Sequence, residues 1–145
     1  MPALAGMFFW VEEMDEKKLQ RVLVVDDDTL MREVLKAILR SEGFAVVGEA
    51  KDGQSGLALV ERLRPDAVCL DVNMPGISGV DTLKILREKF PEVRVVMITG
   101  DASMATVREA VSFGAVGYII KPFNAGRVAD ALRAALRPPG DSIFS

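Results

Sequence analysis

From Arg21 onward, short and almost continuously apolar runs alternate five times with longer stretches whose apolar residues recur at helical spacing. Exchange between a strand period and a 3.6-residue period is the pattern of successive βαβ units. Strands are expected over residues 22–25, 44–47, 67–70, 93–98 and 116–120. Most of them lack the polar alternation of a half-solvated sheet, so both faces must be covered, and parallel strands with helices on both sides provide that cover. The intervals are long enough for one crossover helix each. Leu30, Val34, Leu35, Ile38 and Leu39 form one expected inward stripe; Leu83, Leu86 and Phe90 form another, and Val128, Leu132, Ala135 and Leu136 a third. Ser78-Gly79-Val80-Asp81 has the form of a capping box, and Gly43 stands where a C′ glycine would end the first helix. The expected fold is α/β: a doubly wound, five-stranded parallel sheet with helices on both faces.

Composition narrows the chemistry. The 145 residues are 50% hydrophobic and 27% charged with a formal net charge of −3, which suits one globular domain and offers no basic stripe for nucleic acid. Histidine is absent and Cys69 is the single cysteine. Imidazole-based nucleophilic catalysis, imidazole metal ligands and disulfide frameworks are therefore excluded within the chain, and a reducing cytoplasm is the expected setting. The leading apolar run, residues 1–11, is shorter than the ~20 residues of a membrane-spanning helix. It is followed by Glu12, Glu13, Asp15 and Glu16, the wrong charge order for a secretory signal.

In a doubly wound sheet, ligands bind beyond the carboxyl ends of the strands. The residues that close the expected strands are Asp26, Asp27 and Asp28, then Asp71, Thr99 and Lys121. Clustered carboxylates repel unless a proton or cation intervenes, and an oxygen-only ligand set favours Mg2+, which completes its shell with water and phosphate oxygens. Lys121 and Thr99 can meet phosphoryl oxygens as a point charge and a hydrogen-bond donor. Each residue also has an ordinary structural reading: the acidic run as helix cap, Asp71 as the start of a turn before Asn73-Met74-Pro75-Gly76, Thr99 as a strand end, Lys121 as a surface charge. Their joint placement at separate strand ends favours a phosphate site.

The stretches Val24-Val25-Asp26-Asp27-Asp28, Leu70-Asp71-Val72-Asn73-Met74-Pro75-Gly76, Met97-Ile98-Thr99-Gly100 and Tyr118-Ile119-Ile120-Lys121-Pro122-Phe123 closely resemble the response-regulator receiver domains of two-component signalling, the CheY-like family. The resemblance implies the flavodoxin-like strand order 2-1-3-4-5. It makes Asp71 the phosphoacceptor, fed from a phosphohistidine on a sensor histidine kinase or histidine phosphotransfer protein. Mg2+ would be held by Asp26, Asp27, Asp71 and the backbone carbonyl of Asn73, with Lys121 and Thr99 serving the phosphoryl group. Thr99 and Tyr118 would act as switch residues that alter the surface of the fourth helix, fifth strand and fifth helix toward a downstream protein. Asn73 and Asp101 would tune loss of the phosphoryl group to water, Gly100 would leave space above it, and Lys121-Pro122 would be a cis peptide. A phosphorylation-dependent dimer is compatible with the resemblance.

The expected organisation is an extension over residues 1–20, a receiver domain over 21–137 and a tail over 138–145, too short for an output module, hence a stand-alone receiver that is not a turnover enzyme. Two rivals stay open: a receiver-like interaction module that works without phosphorylation, and an aspartate-nucleophile, Mg2+-dependent phosphatase of the haloacid-dehalogenase type. The phosphatase's Asp-x-Asp-x-Thr/Val pattern is not met, because Leu30 stands where Thr or Val is needed and Asn73 follows Asp71 by two. A flavodoxin-type flavin module fits less well, since its phosphate loop needs hydroxyls and glycines where this chain has acids.

Overall fold

The computed structural model describes residues 19–138. Expectations for the leading segment and the final tail fall on residues 1–18 and 139–145, outside the described residues. The five strands are β1 (Arg21–Val25), β2 (Ala45–Ala50), β3 (Ala67–Leu70), β4 (Arg94–Thr99) and β5 (Gly117–Ile120). Between and after them run α1 (Thr29–Ser41), α2 (Gly53–Leu63), α3 (Gly79–Lys89), α4 (Met104–Ser112) and α5 (Ala125–Ala135). All strand pairs are parallel, as the apolar strand runs led one to expect, and the order is β2-β1-β3-β4-β5, the one implied by the family resemblance.

Each strand feeds two cores because successive side chains point to opposite faces. Leu23, Val25, Val68, Leu70, Val95 and Met97 pack with Val60, Leu83, Leu86 and Ala110 of α2, α3 and α4. Val22, Val24, Cys69, Val96 and Ile98 pack with Leu35 and Leu39 of α1 and Val128 and Leu132 of α5. Full burial on both faces explains the unbroken apolar runs.

Helix starts follow local chemistry. Asp28, Asp52, Ser78, Ser103 and Asn124 are the N-caps, and each side chain accepts a backbone N–H of its own first turn. Gly43 ends α1 at φ +88, with Phe44 N–H donating to Leu39 O at 2.9 Å and Gly43 N–H to Arg40 O at 3.2 Å, the paired bonds of a Schellman motif.

Two expectations need correction. Leu30 and Val34 do not belong to the inward stripe of α1: Leu30 is 72% and Val34 39% exposed, whereas Leu35 and Leu39 are buried. Leu30 precedes Leu35 by five residues, which turns it about 140° around the helix. The second strand begins at Ala45 rather than Phe44, whose amide is taken by the helix-ending motif, and it runs on to Ala50 beside β1. A register slip between Val22 and Leu23 passes over Val47 and brings Gly48 opposite Leu23.

Candidate functional site

The carboxyl ends of the strands are held nearly flush. Val25 pairs with both Ala50 and Leu70, Leu70 with Met97, and Thr99 with Ile120. The next residues therefore emerge along one edge: Asp26 N–H continues the ladder to Ala50 O at 3.0 Å, Asp71 N–H to Val25 O at 3.0 Å and Lys121 N–H to Thr99 O at 2.8 Å.

The acidic run after β1 divides into three roles. Asp28 is a helix cap, its Oδ1 accepting Leu30 N–H at 2.9 Å and Met31 N–H at 3.3 Å. Asp26 is 1% exposed; its Oδ1 accepts Asp28 N–H at 2.9 Å and its Oδ2 accepts Lys121 Nζ at 2.9 Å. Asp27 is exposed and turned to the same edge. Asp26, Asp27 and Asp71 each offer a carboxylate oxygen, and the three oxygens lie within 4.8 Å of one another. Three hard oxygen ligands, two of them buried, fit a divalent cation that keeps part of its water shell.

Asp71 is 5% exposed. Its Oδ1 accepts Asn73 N–H at 3.3 Å, and its Oδ2 lies 3.5 Å from Lys121 Nζ. Burial and the neighbouring Asp26 charge push the Asp71 carboxyl above its usual range, against the opposing pull of Lys121, the Thr99 hydroxyl and the Asn73 amide. Burial works against the Lys121 ammonium, but its hydrogen bond to Asp26 and the charges of Asp71 and Asp26 outweigh it, so its pKa stands above the ordinary lysine value. One ammonium thus faces two buried carboxylates, and the edge stays net acidic.

Thr99 is fully buried, and its hydroxyl accepts Asp101 N–H at 3.3 Å. Gly100 faces open space: a Cβ there meets nothing within 4 Å. Asp101 accepts Ser103 N–H at 2.9 Å and the Thr106 hydroxyl at 3.1 Å; the Ser103 amide is the larger cause holding its carboxyl below the usual range. Tyr118 is half-buried against the core, its hydroxyl donating to Asp101 O at 2.7 Å, and burial raises its pKa. The Lys121–Pro122 peptide is cis.

Sequence reading missed the supports of this edge. Arg32 on α1 donates from Nη1 to Asp26 O at 2.7 Å and lies 3.6 Å from Glu49, so it anchors the turn between β1 and α1. Gly79 begins α3 against the backbone of Asp71; a Cβ there would stand 2.0 Å from Asp71 O. Gly53 begins α2 against side chains instead: a Cβ there would stand 2.2 Å from the Thr82 hydroxyl oxygen. A poor helix former directly after a capping residue is the one sequence signal that could have exposed both glycines.

Such a sheet, with acids, a hydroxyl and an ammonium gathered beyond its strands, is the framework of a CheY-like receiver. The description "Response regulator receiver domain" matches residues 22–133, and the chain belongs to that family. It is 37% identical to the chemotaxis protein CheY of Thermotoga maritima over 113 residues, covering 78% of this chain and 94% of that protein. It is 42% identical over 124 residues to the DNA-binding response regulator MtrA of Mycobacterium tuberculosis, covering 84% of this chain but about half, 53%, of the relative. Among solved structures, the CheX-CheY-BeF3-Mg2+ complex of Borrelia burgdorferi superposes with a TM-score of 0.81 at 27% identity, covering 85% of this chain and 94% of that one. Receiver domains and their CheY relatives are signalling switches of two-component systems that bind Mg2+ at an acidic pocket and interact with kinases and downstream targets. Among the described residues, no helix is long and apolar enough to cross a membrane.

Proposed function

We propose that this chain is a phosphoacceptor switch that takes a phosphoryl group from a phosphohistidine of a sensor kinase or phosphotransfer protein onto Asp71. The observation that carries this reading is a buried Asp71 carboxylate 3.5 Å from Lys121 Nζ and grouped with Asp26 and Asp27. A carboxylate oxygen of Asp71 attacks phosphorus, the phosphorus–nitrogen bond of the donor breaks, and its electron pair stays on the departing imidazole. Asp27 and Asp71 would hold Mg2+ directly, Asp26 directly or through water, and Asn73 through its carbonyl. Held there, Mg2+ would supply positive charge to offset that on the equatorial phosphoryl oxygens. Lys121 already lies within reach of Asp71 and adds a fixed positive charge, while Thr99 supplies a hydroxyl at the end of the neighbouring strand.

Added charge at Asp71 draws Lys121 and Thr99 toward it. Movement of Thr99 disturbs Asp101, whose N–H rests on the Thr99 hydroxyl and whose carbonyl holds Tyr118. That chain of bonds gives the switch a route to the surface formed by α4, β5 and α5, where a partner protein would read it. Asn73 and Asp101 flank the phosphoryl position and set how readily water reaches it. The functional unit is read as residues 21–137, working in the cytoplasm and turning over no substrate of its own. Acetyl phosphate with Mg2+ is expected to add one phosphoryl mass, stable in acid and labile in base, and Asp71→Asn to abolish it. Undiminished labelling of that variant would move the acceptor elsewhere, and steady hydrolysis of a phosphate ester would make the protein a phosphatase.

A further inference from the structure

A cation near the start of a helix works against the positive end of the helix dipole. Arg32 stands at the end of the first turn of α1, a turn without an acidic residue to offset it, yet its side chain is only 12% exposed. Its guanidinium is held on three sides: Nη1 donates to Asp26 O at 2.7 Å, Nη2 to the Thr29 hydroxyl at 3.3 Å, and Nε lies 3.6 Å from Glu49 Oε1. Glu49 is gripped in turn by Lys36, one turn further along α1, which also pairs with Glu33 at 2.6 Å. A planar fork keeps its acceptors in a fixed arrangement, which a single ammonium cannot do.

What the fork grips is the peptide between two carboxylates. Asp26 O and the N–H of Asp27 belong to one rigid plane, so a fixed Asp26 carbonyl fixes how the chain enters Asp27. The Asp26 carboxylate has Asp28 N–H and Lys121 to orient it, and that of Asp71 has Asn73 N–H. Asp27 is exposed, and its oxygen nonetheless lies within 4.8 Å of theirs. We propose that Arg32 is a positioning residue for the divalent-cation site: it holds the Asp26–Asp27 peptide so that the exposed Asp27 carboxylate meets those of Asp26 and Asp71, while Glu49 offsets its charge. This role rests on the reading of the three acids as a Mg2+ site and adds the residue that sets how tightly they bind the ion.

Charge and position predict opposite signs. As a mere positive charge beside a cation site, Arg32 repels Mg2+, and its removal tightens binding. As a positioning residue, its removal frees the Asp27 carboxylate and weakens binding, and partners that orient metal ligands are worth about tenfold or more in affinity. Isothermal titration of the full chain with MgCl2, without a phosphodonor, reads the sign. Arg32→Gln is expected to raise the Mg2+ dissociation constant about tenfold. Arg32→Lys, which keeps the charge and a donor, is expected to fall between that variant and the parent. Melts in EDTA check that both variants are folded; should Arg32→Gln not fold, Arg32→Lys decides alone. Unchanged or tighter Mg2+ binding in the deciding variant overturns the proposal, as does a parent that takes up no Mg2+. The phosphoacceptor reading fails separately, by Asp71 staying unlabelled by acetyl phosphate in a protein whose Mg2+ affinity follows Arg32 as expected.

Discussion

Removing Asp27 separates what the acidic edge costs from what it does. Its carboxylate offers an oxygen within 4.8 Å of those of Asp26 and Asp71, yet Asp27 is exposed and caps no helix. Two unit charges at that separation repel by about 1 kcal/mol in a water-like dielectric and by about 3 kcal/mol at an effective dielectric of 20. Exposure of Asp27 and the nearby Lys121 ammonium pull the net figure toward the lower end. Asp27→Ala is therefore expected to stabilise the metal-free protein by about 1 kcal/mol, a rise in Tm of about 3–5 °C for a domain of this size. The parent, in contrast, is expected to gain stability from Mg2+ by mass action, about 2.7 kcal/mol at a hundredfold excess over its dissociation constant, and the variant to lose that gain. Thermal melts followed by circular dichroism, in EDTA and in a Mg2+ series, read both effects. The reasoning is refuted if Asp27→Ala melts below the parent in EDTA, or if Mg2+ raises both proteins equally.

Gly79→Ala drives a methyl to 2.0 Å from Asp71 O where ordinary contact begins at 3.4 Å, so about 1.4 Å of backbone movement is forced; urea unfolding should show a loss of about 3 kcal/mol, accompanied by slower phosphorylation. The Cys69 thiol is buried and pushed up to about 12 by its surroundings, so at pH 8 only about one thiol in ten thousand is ionised, and a disulfide reagent should label it only as fast as the domain unfolds. Glu49 has its pKa lowered chiefly by the Lys36 hydrogen bond, with Arg32 adding to it. A lowered carboxylate stabilises the fold above its unfolded value near 4.5 and loses that contribution as pH falls through the folded value. The stability gap between parent and Glu49→Gln should accordingly be full at neutral pH and close in acid, as measured by urea unfolding across a pH series.

The parts of this molecule that were legible in the sequence are those where one residue type has one physical use. Continuous apolar runs announced a sheet covered on both faces, and the residues that closed them marked the carboxyl edge, where Asp26, Asp71, Thr99 and Lys121 do emerge together. Ser78 and Gly43 were readable as caps because their conformational roles are local. What escaped reading depends on through-space neighbours. Leu30 fits the helical period yet lies in solvent, because periodicity alone does not say how wide a buried stripe is. The register slip that passes over Val47 is set by pairing with β1, not by anything in β2 itself. Arg32 looks like any surface helix residue until the fold brings Asp26 O to it, and Gly79 acquires its meaning only when α3 is laid against Asp71. From the residues alone the acidic run was legible as a unit, and only the family resemblance set Asp26 and Asp27 apart from Asp28, since three adjacent aspartates are distinguished by which way the turn points them.

Asp71, among several clustered acids, is the one proposed to carry phosphorus. Borohydride reduction of the acetyl-phosphate-treated protein traps an aspartyl phosphate as homoserine, and tandem mass spectrometry of the peptides locates it. Conversion confined to position 71 and dependent on Mg2+ is the predicted result. Homoserine at position 26 or 27, or phosphate retained on Thr99, would contradict the account.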